Sequence, residues 1–104
     1  MSVVRPHERK CAVNSEHRHT VQIVNRLGLH ARAASKFVQT AQRFAAEVTV
    51  NIETRTANGK SIMSVMMLEG SCGKDIEIIT TGEDAHSALD ALVGLISDRF
   101  GEAE

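Results

Sequence analysis

A chain of 104 residues with 12 basic and 13 acidic side chains, a formal charge of −1 and 42% hydrophobic residues suits one packed domain. That charge balance argues against general nucleic-acid binding through phosphate neutralisation, and no apolar run approaches a membrane span. Cys11 and Cys72 form neither a CxxC pair nor a disulfide framework, and Met1 to Arg9 does not read as a signal peptide, so a reduced cytoplasmic setting is expected.

Residues 1–17 are polar around Pro6, without sustained periodicity, and are expected to form a loosely ordered extension to a domain at 18–104. His7 with Cys11, or His17 with His19 on one strand face, would supply only two metal ligands, so no metal is expected there. Thr20 to Val24 is β-branched and partly alternating, the pattern of a first strand. Ala31 to Ala45 carries Ala34, Phe37, Val38, Ala41, Phe44 and Ala45 at the spacing of one helix face.

Glu47 to Glu53 alternates polar and apolar residues and predicts a second strand. Arg55 to Ala57, closed by Asn58-Gly59, reads as a third strand, paired to the second as a hairpin and placed at an edge. Ser61 is a good N-cap for a short apolar helix over Ile62 to Leu68, with Val65 and Leu68 on its buried side. Lys74 to Thr80 predicts a fourth strand, and Gly82-Glu83-Asp84 leads into a helix running to about Phe100. Ala88, Leu89, Leu92, Leu95 and Ile96 make its stripe, and Gly101 suits its end. Each helix has one apolar stripe and each strand about one apolar face. The order β-α-β-β-α-β-α is therefore a two-layer α/β sandwich, with the helices on one face and Thr49, Asn51 and Glu77 towards water on the other.

The chemistry concentrates at Gly28-Leu29-His30-Ala31-Arg32, where strand gives way to helix. Gly28 can supply the backbone angles of a sharp turn, which places His30 at or next to the helix N-cap. Unpartnered N–H groups there favour negative charge. A neutral imidazole nitrogen is a competent nucleophile, and Arg32 offers a fork of donors suited to phosphoryl oxygens. A solvated turn histidine is the plainer alternative for His30 taken alone.

Arg26 to Arg32, then Lys60-Ser61-Ile62-Met63-Ser64-Val65-Met66, then Gly82-Glu83-Asp84 together resemble HPr, the histidine-containing phosphocarrier family of the phosphoenolpyruvate-dependent phosphotransferase system. The resemblance spans about residues 19–101. It implies an open-faced four-stranded antiparallel sheet in the order 1-4-2-3. His30 would accept phosphate from enzyme I through Nδ1 and pass it to IIA-type proteins, with Arg32 steadying the phosphoryl oxygens. Ser61 matches a serine that the HPr kinase/phosphorylase modifies in some members, and a plain N-cap is its other reading.

A carrier's site must be shallow, because donor and acceptor proteins both bring their reactive groups to it in line. No cofactor is expected, and the protein serves as a monomeric co-substrate more than as an enzyme. Ile62, Met63 and Met66 are candidates for a partner-facing apolar patch, with Leu29, Ser35, Lys36 and Gln39 at its margin; ordinary core packing is the alternative for the methionines. Ala33 stands where most of the family has proline and restores a backbone donor, and Ser64 stands where glycine is frequent. Met66-Met67-Leu68 and Asp98 to Gly101 are reminiscent of the nitrogen branch, in which phosphorylation state signals to regulators. A paralogue that only docks to transcription factors is disfavoured by the presence of His30.

Overall fold

The computed structural model describes residues 16–103, so Pro6, His7, Cys11 and the greater part of the expected extension lie outside the described residues. Four strands, β1 (Glu16–Gln22), β2 (Glu47–Ile52), β3 (Arg55–Asn58) and β4 (Asp75–Thr81), form one sheet. Its order is β1-β4-β2-β3, and every neighbouring pair is antiparallel. Helices α1 (Ala31–Gln42), α2 (Ile62–Met66) and α3 (Ala85–Ser97) complete the expected element order, followed by a 3-10 turn at Arg99–Gly101.

The sandwich follows from the alternation in the central strands. Val48, Val50 and Ile52 of β2 and Ile76 and Ile78 of β4 are buried, together with Phe37, Val38 and Ala41 of α1, Val65 of α2 and Leu92 and Ile96 of α3. The intervening residues face outward. There Asn51 Nδ2 donates to Glu77 Oε1 at 3.0 Å and the Arg18 guanidinium lies 3.5 Å from the Glu77 carboxylate, on the face expected to meet water. Ala33 and Ala34 are wholly buried and α1 starts at Ala31, so the helix forms normally with alanine at position 33.

Several boundaries differ from expectation. Glu16 and His17, assigned to the extension by composition, already pair with Thr81 and Thr80 of β4. The strand then stops at Gln22, short of Val24, because the chain turns into the core: Ile23 is fully buried, and its N–H donates to the Lys74 carbonyl at 2.9 Å. Helix α1 ends at Gln42, leaving Phe44 half-buried and Ala45 exposed. Helix α3 ends at Ser97, and Phe100 enters the core from a backbone with φ of 55° rather than from a continuing helix.

Polar side chains fix the connections. Asp84 makes no side-chain cap bond to α3 and instead accepts from Ala45 N at 2.9 Å and Ala46 N at 2.8 Å in the connection between α1 and β2. The Ala45 N–H bond is the main cause holding this carboxyl below its ordinary range. Its contribution is therefore present above that range and is lost as pH falls through the lowered value. Lys60 Nζ donates to the Phe44 carbonyl at 2.8 Å, tying the start of α2 to the end of α1.

Ser61 is the N-cap of α2, its Oγ accepting from Ser64 N at 3.3 Å. Ser61→Ala is expected to cost about 1 kcal/mol in urea denaturation, the usual value of such a cap. A change below a few tenths would show that α2 is held by packing alone.

Candidate functional site

The β1–α1 connection is shaped by a close approach of two backbone segments. Gly28 has φ of +67°, and a Cβ there would lie 2.3 Å from the Gly70 carbonyl oxygen. The next N–H, of Leu29, donates to that same oxygen at 2.7 Å. Leu29 is thereby directed inward and is only 6% exposed. This corrects its placement on a partner-facing margin: the turn that exposes His30 sends Leu29 into the core and leaves Leu27 outside, 67% exposed.

His30 is the N-cap residue of α1, with extended backbone angles, and its carbonyl accepts from Ala34 N at 2.8 Å. Its ring does not cap the helix. Nε2 instead lies 2.5 Å from Glu102 Oε2. The second oxygen of Glu102 accepts from Asn25 Nδ2 at 3.1 Å, and the same nitrogen donates to the Gly28 carbonyl at 2.8 Å. Asn25 is fully buried, so it braces the turn before the site and the acid behind it together. Its bond is the largest cause holding the Glu102 carboxyl below the ordinary range, with the His30 hydrogen bond contributing in the same direction against partial burial.

His30, Arg32, Arg26, Leu27 and Glu102 line an open hollow of about 350 Å³. The His30 side chain is 26% exposed, so its ring is anchored yet reachable. This is the shallow arrangement that the sequence motif suggests.

Sequence reasoning missed Glu102 and Asn25. Glu102 lies 72 residues from His30 and beyond the last helix, where no periodicity or local motif signals a contact. Asn25, by contrast, stands three residues before Gly28 in a turn, the kind of position that asparagine favours.

The other predicted residues fall into two groups. Ile62, Met63 and Met66 are exposed on α2, Met63 most of all at 72%, while Val65 and Leu68 are buried as expected. Met67, the C-cap of α2, is exposed as well, which the sequence pattern did not reveal. On α1, Gln39 is exposed and bonds Ser35 Oγ at 3.3 Å. Lys36 plays a structural part, its Nζ donating to the Phe100 carbonyl at 2.7 Å and so securing the turn that carries Glu102.

Among the described residues no helix is long and apolar enough to cross a membrane. His17 and His19 share the strand face that carries Thr80 and Ile78, and the His17 ring lies 5.4 Å from that of His86.

Comparison with known proteins agrees with this geometry. The family described as "PTS HPr component phosphorylation site" matches residues 17–98. The chain is 49% identical over 85 residues to the phosphocarrier protein HPr of Neisseria meningitidis serogroup A, covering 82% of this chain and 96% of that protein. It is 43% identical over 83 residues to the phosphocarrier protein NPr of Shewanella violacea, covering 80% and 91%. The crystal structure of HPr-C-His from Thermoanaerobacter tengcongensis superimposes with a TM-score of 0.81 at 41% identity, covering 85% of this chain and 99% of that one. The strand order, the histidine at the head of α1 and these similarities converge, and the chain belongs to the HPr family of phosphocarrier proteins of the phosphotransferase system.

Proposed function

We propose that His30 accepts a phosphoryl group from phosphorylated enzyme I and passes it to IIA-type proteins, with Arg32 steadying the phosphoryl oxygens. The observation that carries this reading is the placement of His30: it heads α1 beside Arg32 in an open hollow, with its ring anchored from behind. The helix N-terminus favours the incoming anion by about 0.3–1 kcal/mol, enough to bias binding yet weak enough for release. Arg32 adds a planar fork matched to phosphoryl oxygens. The protein is thus a co-substrate, acting as a monomer in the cytoplasm and needing no cofactor. The exposed Ile62, Met63 and Met66, with Ser35 and Gln39, would meet its partners; flexible methionines suit a surface that receives more than one.

Incubation with labelled phosphoenolpyruvate and enzyme I tests the reading. The parent should gain acid-labile phosphate and His30→Ala none; equal labelling of both would refute the assignment of His30. Ser61 is a second candidate, for ATP-dependent regulation by an HPr kinase/phosphorylase. A phosphate there would sit at the start of α2, beside the methionines, and would repel an acidic partner. Labelling that persists in Ser61→Ala would exclude it.

The similarity to an NPr supports a second reading, a nitrogen-branch carrier that signals by its phosphorylation state. Faster discharge to a nitrogen-branch than to a sugar-branch IIA protein would favour it.

A further inference from the structure

The contact between His30 and Glu102 has a chemical consequence for the direction of the imidazole. Glu102 is ionised at neutral pH, because its carboxyl lies below the ordinary range. A carboxylate can only accept, so the ring nitrogen 2.5 Å away, Nε2, must carry the proton. In the neutral ring the lone pair then resides on Nδ1. The tail that brings Glu102 here is built for position: Phe100 is buried beneath it, Lys36 holds the Phe100 carbonyl, and Glu102 N donates to the Arg99 carbonyl at 2.9 Å. Asn25 turns its amide nitrogen towards Glu102 and Gly28, leaving its own buried Oδ1 without a partner among the described residues. An orientation that strands a buried oxygen persists only where the bonds on the other side outweigh the loss.

We propose that Glu102 is a positioning residue for phosphoryl transfer, holding the proton on His30 Nε2 so that Nδ1 is the attacking atom and pairing with the cationic ring once Nδ1 is phosphorylated. This rests on the reading of His30 as the acceptor. When the Nδ1 lone pair forms its bond to phosphorus, the bond from phosphorus to the donor breaks and its electron pair stays with the donor. The Nε2 proton does not move, so the ring becomes an N-phosphorylated imidazolium facing a carboxylate. On discharge the N–P pair returns to Nδ1 and the neutral ring is restored, again with Nε2 protonated. Transfer in both directions thus needs no net proton movement. A neutral ring is also a better leaving group than the anion that a deprotonated phosphoimidazole would have to release.

The charged groups that face the site are Arg26 from the turn, Arg32 and Lys36 from α1, and Glu69 near the Gly70 strap. The Glu69 carboxylate is 3.2 Å from Arg55, and Glu102 is the acid in contact with the ring.

The test compares the full chain with Glu102→Gln and Glu102→Ala, each first shown to keep the parent's amide spectrum. Imidazole ¹⁵N shifts report the tautomer before any transfer. The parent should be almost wholly Nε2-protonated, and Glu102→Ala should show a mixture; identical shifts would overturn the proposal, even if no phosphoryl transfer occurred. In discharge from the phosphorylated protein, Glu102→Gln should be about tenfold slower in kcat near pH 8, with KM for the acceptor little changed, as expected for a lost charge-assisted hydrogen bond. The gap should narrow as pH falls, because solvent protons then supply the Nε2 proton that Glu102 otherwise holds. Superimposable pH profiles would overturn the role of Glu102 while leaving His30 as acceptor. Absence of label from the parent would instead refute the acceptor reading.

Discussion

Gly28→Ala is expected to destabilise the protein by about 2–5 kcal/mol. A left-handed backbone costs a non-glycine residue about 1–2 kcal/mol, and forcing atoms into a filled site costs about 1–3 more. Both apply here, since φ is +67° and the added carbon would stand 2.3 Å from the Gly70 oxygen and 2.9 Å from Ser71 Cα. Neither obstacle is the end of a flexible side chain, so relief requires the two segments to part. That movement would break the bond from Leu29 N to Gly70 O, which sets how the chain turns into α1 and hence the place of His30. Urea denaturation measures the loss, which is large against the 5–15 kcal/mol typical of a domain. A loss below about 1 kcal/mol would mean that the strap is compliant and does not position the site.

Phe100→Ala is the second large effect, about 3–5 kcal/mol for removing a buried aromatic side chain. Phe100 is 1% exposed and reaches the core from φ of 55°, a conformation that a bulky residue adopts only when its surroundings enforce it. Phe100→Gly should therefore be milder than Phe100→Ala by about 1 kcal/mol, because glycine relieves the backbone while losing the same ring. Both should also loosen the tail beneath Glu102, which the His30 ¹⁵N shifts would register as a weakened preference for Nε2–H. An order reversed between alanine and glycine would show that the turn is not strained in the folded chain.

The parts of the fold that were legible are those governed by local period. Alternation in Glu47 to Ile52 marks β2, and the stripes of α1 and α3 identify Phe37, Val38, Leu92 and Ile96 as core. Ser61 is readable as a cap because the hydroxyl acts within three residues of itself. β1 is harder: it is an edge strand, and its helix-facing positions include His17 and His19, so its alternation is not one of hydrophobicity. The misplacement of Leu29 has a similar origin. Leu27 and Leu29 are equivalent in composition, and only the turn at Gly28 decides which is buried.

The site divides along the same line. His30 and Arg32 belong to one motif and can be found from it, whereas Glu102 and Lys36 act through contacts across 72 and 64 residues. The exit of α3 is the missing link between them. A continuous helix to Phe100 would carry the tail along the helix axis; the observed turn folds it back over Lys36 towards His30.

The central claim is that His30 both takes and gives a phosphoryl group. The most direct measurement follows intact mass during charging by enzyme I and phosphoenolpyruvate, maps the modified residue, and then adds a IIA-type protein. The predicted result is one phosphoryl group on His30 that leaves for the acceptor on mixing. A phosphoryl group on another residue, or one on His30 that no IIA protein can remove, would contradict it.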